Sequence, residues 1–482
     1  MQLSTLLNAL HPVEVIGRSD IEINSIQFDS RLVGVGDLFV AQSGTSVDGH
    51  TFITRCISQG ARAIVLSNRD FLASDEKVTY ILVKDTNEAL GLLACEWYGN
   101  PSKHLTLVGV TGTNGKTTIA TLLYKLTRGM GEKAGLLSTV VNYVDDEAVP
   151  STHTTPDALA LNALLARMVE AGCRYAFMEV SSHSIAQARV AGLDFDGAIF
   201  TNLTRDHIDY HKTFDNYRDT KKLLFDRLKK NAFAITNRDD KNGMVMVQNT
   251  RSHIYTYSTR SLADFKGIIL EEGFDGMLLN INNQEVFVPL VGRFNTSNLL
   301  AIYGTAINLG FDKTEVLRVL STLEAVNGRF ETIHSPKGWT AVVDYAHTPD
   351  AVDNVIKTIN DIRKTDSKLI TVVGCGGNRD KGKRPMMASI ACKGSDQLIL
   401  TSDNPRDEEP ADILNDMVGG LTKKELERTL VIEDRFSAIK TACTLAQKND
   451  VILVAGKGHE NYQIIKGVKH HFDDHEVVKQ CL

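Results

Sequence analysis

Residues 109–118 read Gly-Val-Thr-Gly-Thr-Asn-Gly-Lys-Thr-Thr. The run fits the phosphate-loop pattern G-x-x-x-x-G-K-[ST], ending on Gly115, Lys116 and Thr117. Val110 stands where the first glycine usually does, so Gly109 or Gly112 must supply the turn. An apolar strand (LTLVGV) precedes the run and a helical stretch (IATLLYKLTRGM) follows it, the context in which backbone N–H groups and a helix N-terminus face a polyphosphate. Lys116 would neutralise β/γ-phosphate charge, and the Thr117 hydroxyl would ligate Mg²⁺. The plain alternative is a tight glycine turn between a strand and a helix.

Two further positions suit a metal. Glu179 closes the apolar strand YAFMEV, and His207 lies in Asn202-Leu203-Thr204-Arg205-Asp206-His207-Ile208-Asp209-Tyr210-His211, just after GAIFTN. A carboxylate and an imidazole at neighbouring strand ends can share a divalent cation, although imidazole is an unusual partner for Mg²⁺. Taken alone, His207 reads as a loop or capping histidine, and the same holds for Asp206, Asp209 and His211.

Three polar loops follow apolar strands nearer the C-terminus. Gly374–Arg384 (GCGGNRDKGKR) follows LITVVG, Asp403-Asn404-Pro405-Arg406 follows LILTS, and Gly456-Lys457-Gly458-His459-Glu460 follows VILVA. The first misses the dinucleotide fingerprint, because Arg379 replaces its third glycine and no helix start is legible there. Three such loops at three strand ends make a convergent pocket, in which arginine beside asparagine suits bidentate carboxylate recognition. Asp407-Glu408-Glu409 reads as a charge run ahead of a helix, and His470, His471 and His475 read as a solvated tail.

The elements that must carry these loops follow from periodicity. Residues 1–102 mix short strands with a helix over Asp85–Tyr98, and Asn100-Pro101-Ser102 punctuates. From Leu105 apolar strands alternate with helices near Lys116–Met130 and Asp157–Ala171, and the alternation restarts at Thr340. Continuous apolar strands separated by helices mean a parallel sheet covered on both faces. Three α/β domains are expected: a smaller N-terminal one (1–102), a central P-loop ATPase-like parallel-sheet domain (103–330) and a Rossmann-like C-terminal one (331–482).

The 482 residues suit that count at roughly 150 per domain. With 43% hydrophobic and 23% charged residues, each domain can bury a core. The net charge of −6 argues against a general nucleic-acid binder, and no apolar run approaches the roughly 18 residues of a membrane span. Residues 1–17 carry no Lys or Arg ahead of their short apolar stretch, so a secretory signal is not supported. Seven scattered cysteines without CxxC spacing fit a reduced cytoplasm rather than a disulfide framework or zinc finger.

These motifs, in this order, resemble the Mur ligases of peptidoglycan precursor synthesis, and most closely the MurE type. The likeness spans essentially the whole chain: FDSR (Phe28–Arg31), GDLFVA, VDGHTFI, GTNGKTT, TTPD (Thr154–Asp157), MEVSSH, DHIDYH, GRFN, GRFE, VDYAHTPD, GCGGNRDKGKRP, DNPR and AGKGHENYQ. The resemblance implies ATP on Gly112, Thr113, Asn114, Gly115, Lys116, Thr117 and Thr118, positioned also by Asn295, Asn298, Arg329 and Asp344. It implies two Mg²⁺ ions, one on Thr117 and Glu179 and the other on Glu179 and His207, with a carbamylated lysine supporting the second. The Y-x-x-x-K spacing from Tyr217 selects Lys221 over Lys222. An ammonium repels Mg²⁺, whereas a carbamate offers anionic oxygens.

For the UDP-sugar the resemblance points to Ser30, Thr45 and Ser46, and to Thr154, Thr155, Ser181, Gln187 and Arg189. For the incoming amino acid it points to Arg379, Asp403, Asn404, Pro405, Arg406, Gly456 and Glu460. Arginine in DNPR resembles the version accepting meso-diaminopimelate, whose distal carboxylate it can pair, while lysine-adding relatives often lack it. The implied activity is ATP-dependent amide formation through an acyl phosphate, with Lys116, Glu179, His207 and Lys221 at the reacting groups. A cytoplasmic monomer acting on small molecules, with neither nucleic acid nor membrane as partner, is the expectation. The competing readings are a lysine-adding relative, a folylpolyglutamate synthetase-like ligase, a P-loop phosphotransferase that forms no amide, and a non-catalytic nucleotide-binding module.

Overall fold

The computed structural model describes residues 1–44, 47–72, 77–151 and 153–482, so Thr45 and Ser46 lie outside the described residues. The chain folds into two compact units, one of residues 1–109, 132–198 and 227–232, the other of residues 110–131, 199–226 and 233–482.

The first unit opens with a five-stranded sheet of β1 (Glu14–Ile16), β2 (Ile26–Gln27), β3 (Leu38–Val40), β4 (Ala63–Leu66) and β5 (Thr79–Leu82), in the order β1-β5-β4-β3-β2. Only β1 runs antiparallel to its neighbour. Every residue of β3, β4 and β5 is buried, because successive side chains serve opposite cores. Leu38, Val40, Ala63, Val65 and Ile81 enter one cluster, and Phe39, Ile64, Leu66, Tyr80 and Leu82 the other. The helix Thr86–Trp97 covers the first cluster, and Asp85 caps it by accepting from the N–H groups of Asn87 and Glu88. After it, Asn100 takes φ 54° and Pro101 opens a short 3₁₀ turn, so the expected punctuation is a real break in regular structure.

Strand β6 (Thr106–Thr111) is buried beyond its first residue and runs into the glycine loop. The first unit also holds β7 (Ala134–Leu137), β8 (Val141–Val144), β9 (Glu147–Pro150) and β10 (Tyr175–Glu179), ordered β10-β7-β8-β9. The pair β10 and β7 is parallel. The helix Ala158–Glu170 begins on Asp157, whose carboxylate accepts from Leu159 and Ala160.

Strand β11 (Gly197–Phe200) carries the chain from the first unit into the second, where β12 (Phe233–Asn237), β13 (His253–Ser258), β14 (Phe265–Gly273), β15 (Gly276–Ile281) and β16 (Gln284–Val288) follow it side by side. A six-stranded sheet comprises β17 (Glu331–His334), β18 (Thr340–Asp344), β19 (Leu369–Val373), β20 (Gln397–Leu400), β21 (Thr429–Val431) and β22 (Val451–Ala455), ordered β17-β18-β22-β19-β20-β21. All its pairings are parallel except β17 with β18. A separate hairpin joins β23 (Tyr462–Ile465) to β24 (Val468–His471).

The α/β class and three sheet-containing regions agree with the sequence reading, but the middle region is not wholly parallel. Strands β8, β9 and β14 to β16 add antiparallel hairpins. Two of the turns are local: between β15 and β16, Asn282 and Asn283 both take positive φ (47° and 69°), and between β8 and β9, Asp145 takes φ 52°, the turn chemistry that joins neighbouring antiparallel strands. A second difference lies at Gly374–Arg384, where a helix does begin, at Lys383 (Lys383–Gly394). Pro385 falls in its first turn, where a missing N–H costs nothing. No helix among the described residues is long and apolar enough to cross a membrane. His470 and His471 are exposed on β24, and His475 pairs with Glu331 at 3.2 Å.

Candidate active site

The glycine loop between β6 and the helix Lys116–Gly129 is drawn tight by its neighbours. A Cβ on Gly112 would lie 1.8 Å from Thr201 Oγ1, and one on Gly115, which takes φ 88°, would lie 2.6 Å from Asn298 Oδ1. The Thr201 hydroxyl donates to the Asn114 carbonyl (2.6 Å), and the Asn114 N–H donates to Asn202 Oδ1 (2.9 Å). Lys116 begins the helix and folds back, its Nζ donating to the carbonyls of Gly112 (3.0 Å) and Thr113 (2.9 Å). Arg329 Nη2 donates to Thr117 Oγ1 at 3.0 Å, while its guanidinium lies 4.5 Å from the Tyr345 ring centre. Asn298 donates to Asn295 (3.0 Å), and Thr118 is buried as the third residue of the helix. Asp344, at the end of β18, accepts from the N–H groups of Phe330 and Ala346, both at 2.7 Å. Burial raises its pKa, against the pull of Arg329. The phosphate loop, Asn295, Asn298, Arg329 and Asp344 thus lie together in the second unit.

The Asp206–His211 segment borders the loop. His207 holds φ 53° at the start of the short helix Ile208–His211, with Nε2 3.3 Å from Asp206 Oδ2. Burial would raise the Asp206 pKa, but His207, His347, Lys383 and Lys116 around it hold it below the usual value. Lys383 Nζ donates to the His347 carbonyl (2.8 Å), and Asn114 Nδ2 to Asp350 (3.2 Å). Asp206 reads in the sequence as a plain loop residue, and His347, Asp350 and Lys383 are the residues that motif reading missed. The signal for these three was the VDYAHTPD run and the basic 374–384 loop, without any sign of what they face.

Lys221 is buried, with Nζ donating to the Gly112 carbonyl. Burial, then repulsion from Lys116, holds its pKa well below the usual lysine value. Lys222 turns away to Asp226, 2.6 Å off.

The first unit gathers a different set. Glu179, buried at the end of β10, accepts from the Thr139 N–H (2.7 Å), and its carbonyl accepts from Thr155 Oγ1 (2.8 Å). The Ser181 N–H donates to Thr155 Oγ1 (3.3 Å), Arg189 Nη1 to the Thr155 carbonyl (2.8 Å) and Arg189 Nη2 to Gln187 Oε1 (2.6 Å). Thr154 accepts from Thr139 Oγ1 at 3.1 Å. Glu179, Thr154, Thr155, Ser181, Gln187 and Arg189 therefore form one network, while Ser30 is buried in the turn after β2.

At the ends of β19, β20 and β22 the three polar loops converge. Asn404 Nδ2 donates to Glu460 Oε2 (2.7 Å), and Asn404 Oδ1 accepts from the Ile464 N–H (2.9 Å). Lys457, fully buried, lies 3.3 Å from the same Glu460 oxygen. Burial and the neighbouring Asp403 raise the Glu460 pKa; Asp403 itself, though buried, is held low by Lys457 and Arg435. A Cβ on Gly456 would lie 2.8 Å from Asp403 Oδ2. Arg406 follows Pro405 with φ 53°, a strained value for a side-chain-bearing residue. It is held by its N–H to the Ile464 carbonyl (3.0 Å) and its carbonyl to the Lys466 N–H (2.7 Å). A Cβ on Gly376 would lie 2.7 Å from Arg406 Nη1 and 3.8 Å from Arg379 Cγ, so both arginines border one glycine. Behind the loops the buried pair Arg435 and Asp474 makes two bonds of 2.7 Å, and Arg435 also reaches the Ala455 carbonyl (3.1 Å) and the Ser402 carbonyl (3.4 Å).

Comparison with known proteins matches residues 22–98 to the Mur ligase family catalytic domain, 110–306 to the Mur ligase middle domain and 328–458 to the Mur ligase glutamate ligase domain. The UDP-N-acetylmuramoyl-L-alanyl-D-glutamate--2,6-diaminopimelate ligase of Parabacteroides distasonis is 62% identical over 480 residues, covering 100% of this chain and 99% of its own. A solved structure of a protein of that same name matches with TM-score 0.69 and 33% identity, covering 99% of this chain and 98% of its own. The MurF ligase of Thermotoga maritima, solved in complex with ADP, shares the fold at TM-score 0.63 and 20% identity, covering 95% of this chain and 96% of its own.

Proposed function

The chain belongs to the Mur ligase family, and from that premise we propose that it is the ATP-dependent ligase that joins meso-2,6-diaminopimelate to the D-glutamate of UDP-N-acetylmuramoyl-L-alanyl-D-glutamate. The observation that carries the reading is the pairing, in one unit, of a lysine-bearing phosphate loop with a pocket containing Glu460, Asn404, Arg379 and Arg406. Arginines suit the carboxylates of an amino acid with two acidic ends, and a carboxylate suits its ammonium groups.

In the reaction the D-glutamate γ-carboxylate attacks the γ-phosphorus of ATP, ADP leaves, and an acyl phosphate forms. Lys116 screens the charges of the two anions. The amine of diaminopimelate then attacks the acyl carbon; the C–N bond forms, phosphate departs with the C–O electron pair, and the amine proton passes to solvent. Thr117, His207 and a carbamate on Lys221 would hold magnesium, with Glu179 added by the family resemblance, and the two ions would further screen phosphate charge. The surroundings of Lys221 fit that role: burial and the nearby Lys116 lower its pKa, which favours the neutral amine, the form that adds CO₂. ATP binds residues 112–118 with Asn295, Asn298, Arg329 and Asp344. The UDP-sugar binds Ser30, Thr45, Ser46, Thr154, Thr155, Ser181, Gln187 and Arg189. Domains 1–102, 103–330 and 331–482 divide these tasks, in a cytoplasmic monomer whose seven cysteines are free.

An amino-acid panel with the UDP-sugar acid and ATP, read by product mass, tests the reading. Diaminopimelate should give the amide, with ADP release dependent on both acceptor and amino acid. Preference for lysine, or ADP formed without amide, overturns it.

A further inference from the structure

Glu408 stands beside the amino-acid pocket without lining it, and its bonds are those of a clamp. Oε1 accepts from the Asn378 N–H (2.5 Å) and from Arg384 Nη2 (2.9 Å). Oε2 accepts from Arg384 Nη1 (3.0 Å) and lies 3.3 Å from Lys381 Nζ. Arg384 is buried, its side chain 1% exposed, and it also donates to Asp416 (2.8 Å) and toward the Gly376 carbonyl (3.4 Å). A bidentate guanidinium–carboxylate pair in such a setting is both strong and directional.

These bonds tie together two loops that carry one arginine each: 374–384, with Arg379, and 403–409, with Arg406. The loops touch backbone to backbone, since a Cβ on Gly377 would lie 1.9 Å from the Pro405 carbonyl oxygen. The Gly377 N–H donates to the Asn404 carbonyl (2.9 Å) and the Asp407 N–H to Asn378 Oδ1 (3.2 Å). Arg406 Nη1 in turn donates to the Gly377 carbonyl at 2.9 Å. Asn378 and Arg406 both hold φ 53°, and such conformations persist in residues other than glycine only where the surroundings impose them. Glu408 supplies one of those constraints directly, through the Asn378 N–H.

We propose that Glu408 is a positioning residue for the added amino acid, fixing the Arg406 guanidinium against the loop that carries Arg379 and so setting which distal acid group the pocket accepts. The proposal rests on the amino-acid-site reading above. A charge that served only to cap the following helix would not matter to substrate choice.

The test compares Glu408→Ala, Glu408→Gln, Arg406→Ala and the Glu408→Ala/Arg406→Ala double variant by KM and kcat for all three substrates, with thermal melting alongside. Glu408→Ala should raise the KM for diaminopimelate about tenfold, the scale of one hydrogen bond to a charged group. The KM values for ATP and the UDP-sugar should stay within about twofold. Glu408→Gln, which keeps an acceptor for the Asn378 N–H and folds if the alanine variant does not, should raise it less. In the Arg406→Ala background the Glu408 change should add little, because the group it positions is gone. A parallel rise in all three KM values, or full additivity in the double variant, overturns the proposal. If Arg406→Ala weakens diaminopimelate and neither Glu408 variant does, the pocket stands and the clamp falls. If Arg406→Ala also has no effect, the pocket assignment falls and takes the clamp with it.

Discussion

Lys221 Nζ donates to the Gly112 carbonyl at 2.8 Å from a side chain that is 1% exposed, so a buried lysine ends against the glycine that opens the phosphate loop. The Tyr217 ring, 4.7 Å away, is its other near partner. An unpaired buried ammonium is costly, and the position is better suited to a neutral or acylated amine.

Replacing Lys116 by alanine should therefore cut kcat by about a hundredfold to a thousandfold, the scale of losing one charge-stabilising group. Lys221→Arg, permanently charged and unable to form a carbamate, should be comparably inactive, and wild-type activity should rise with added bicarbonate. Coupled ADP-release assays with and without bicarbonate check both; an active Lys221→Arg enzyme would sink the carbamate assignment.

Arg406→Ala should cost diaminopimelate far more than ATP. Loss of a guanidinium–carboxylate pair predicts about a tenfold to hundredfold rise in KM for the amino acid alone. Steady-state kinetics with each substrate varied in turn measures this, and an unchanged preference over lysine rejects the role.

Two buried histidines set a pH dependence of stability. Burial, then Lys383, lowers the His347 pKa to about 4; burial, then Arg329, lowers that of His459 to about 3. Both are neutral in the fold and charge near pH 6.5 when unfolded, so the unfolded chain binds more protons as pH falls from 6.5 toward 4. Stability should drop across that window. Thermal melts of His347→Gln/His459→Gln should gain on wild type between pH 8 and pH 5, and a constant difference would count against the shifts.

Breaking the Arg435–Asp474 pair should be expensive. Arg435→Met leaves an isolated buried carboxylate and should cost about 3–5 kcal/mol, whereas Arg435→Met/Asp474→Leu should cost much less. Urea unfolding of both variants discriminates; equal losses would mean that the strand-end carbonyl contacts, not the ion pair, dominate.

Much of the site is legible because its parts are contiguous. The phosphate loop shows itself by spacing and context, and an i, i+4 relation puts Lys221 on the face of Tyr217, where its Nζ meets the ring. Burial on both sides makes β3 to β5, β19, β20 and β22 read as unbroken apolar runs. What pairs across the sequence is not legible: the charges that hold Asp206 ionised include Lys383, far along the chain, and Glu408 looks like surface charge until Arg384 is seen beneath it. The β15–β16 hairpin is hidden for a milder reason, since paired asparagines specify a turn without revealing which neighbour the strands join.

Each compact unit is assembled from three separate stretches, so the chain passes between them five times. During synthesis the first unit cannot be completed at residue 109; it waits for residues 132–198 and 227–232. At translation rates of about 5–20 residues per second that delay is of order ten seconds, during which the apolar strand β6 has emerged without its later neighbours. A nascent chain of this protein therefore offers a holdase chaperone a defined substrate, and stalling the ribosome after β6 has left the exit tunnel and before residues 227–232 have emerged should give species that bind one, while release of the full chain should free it.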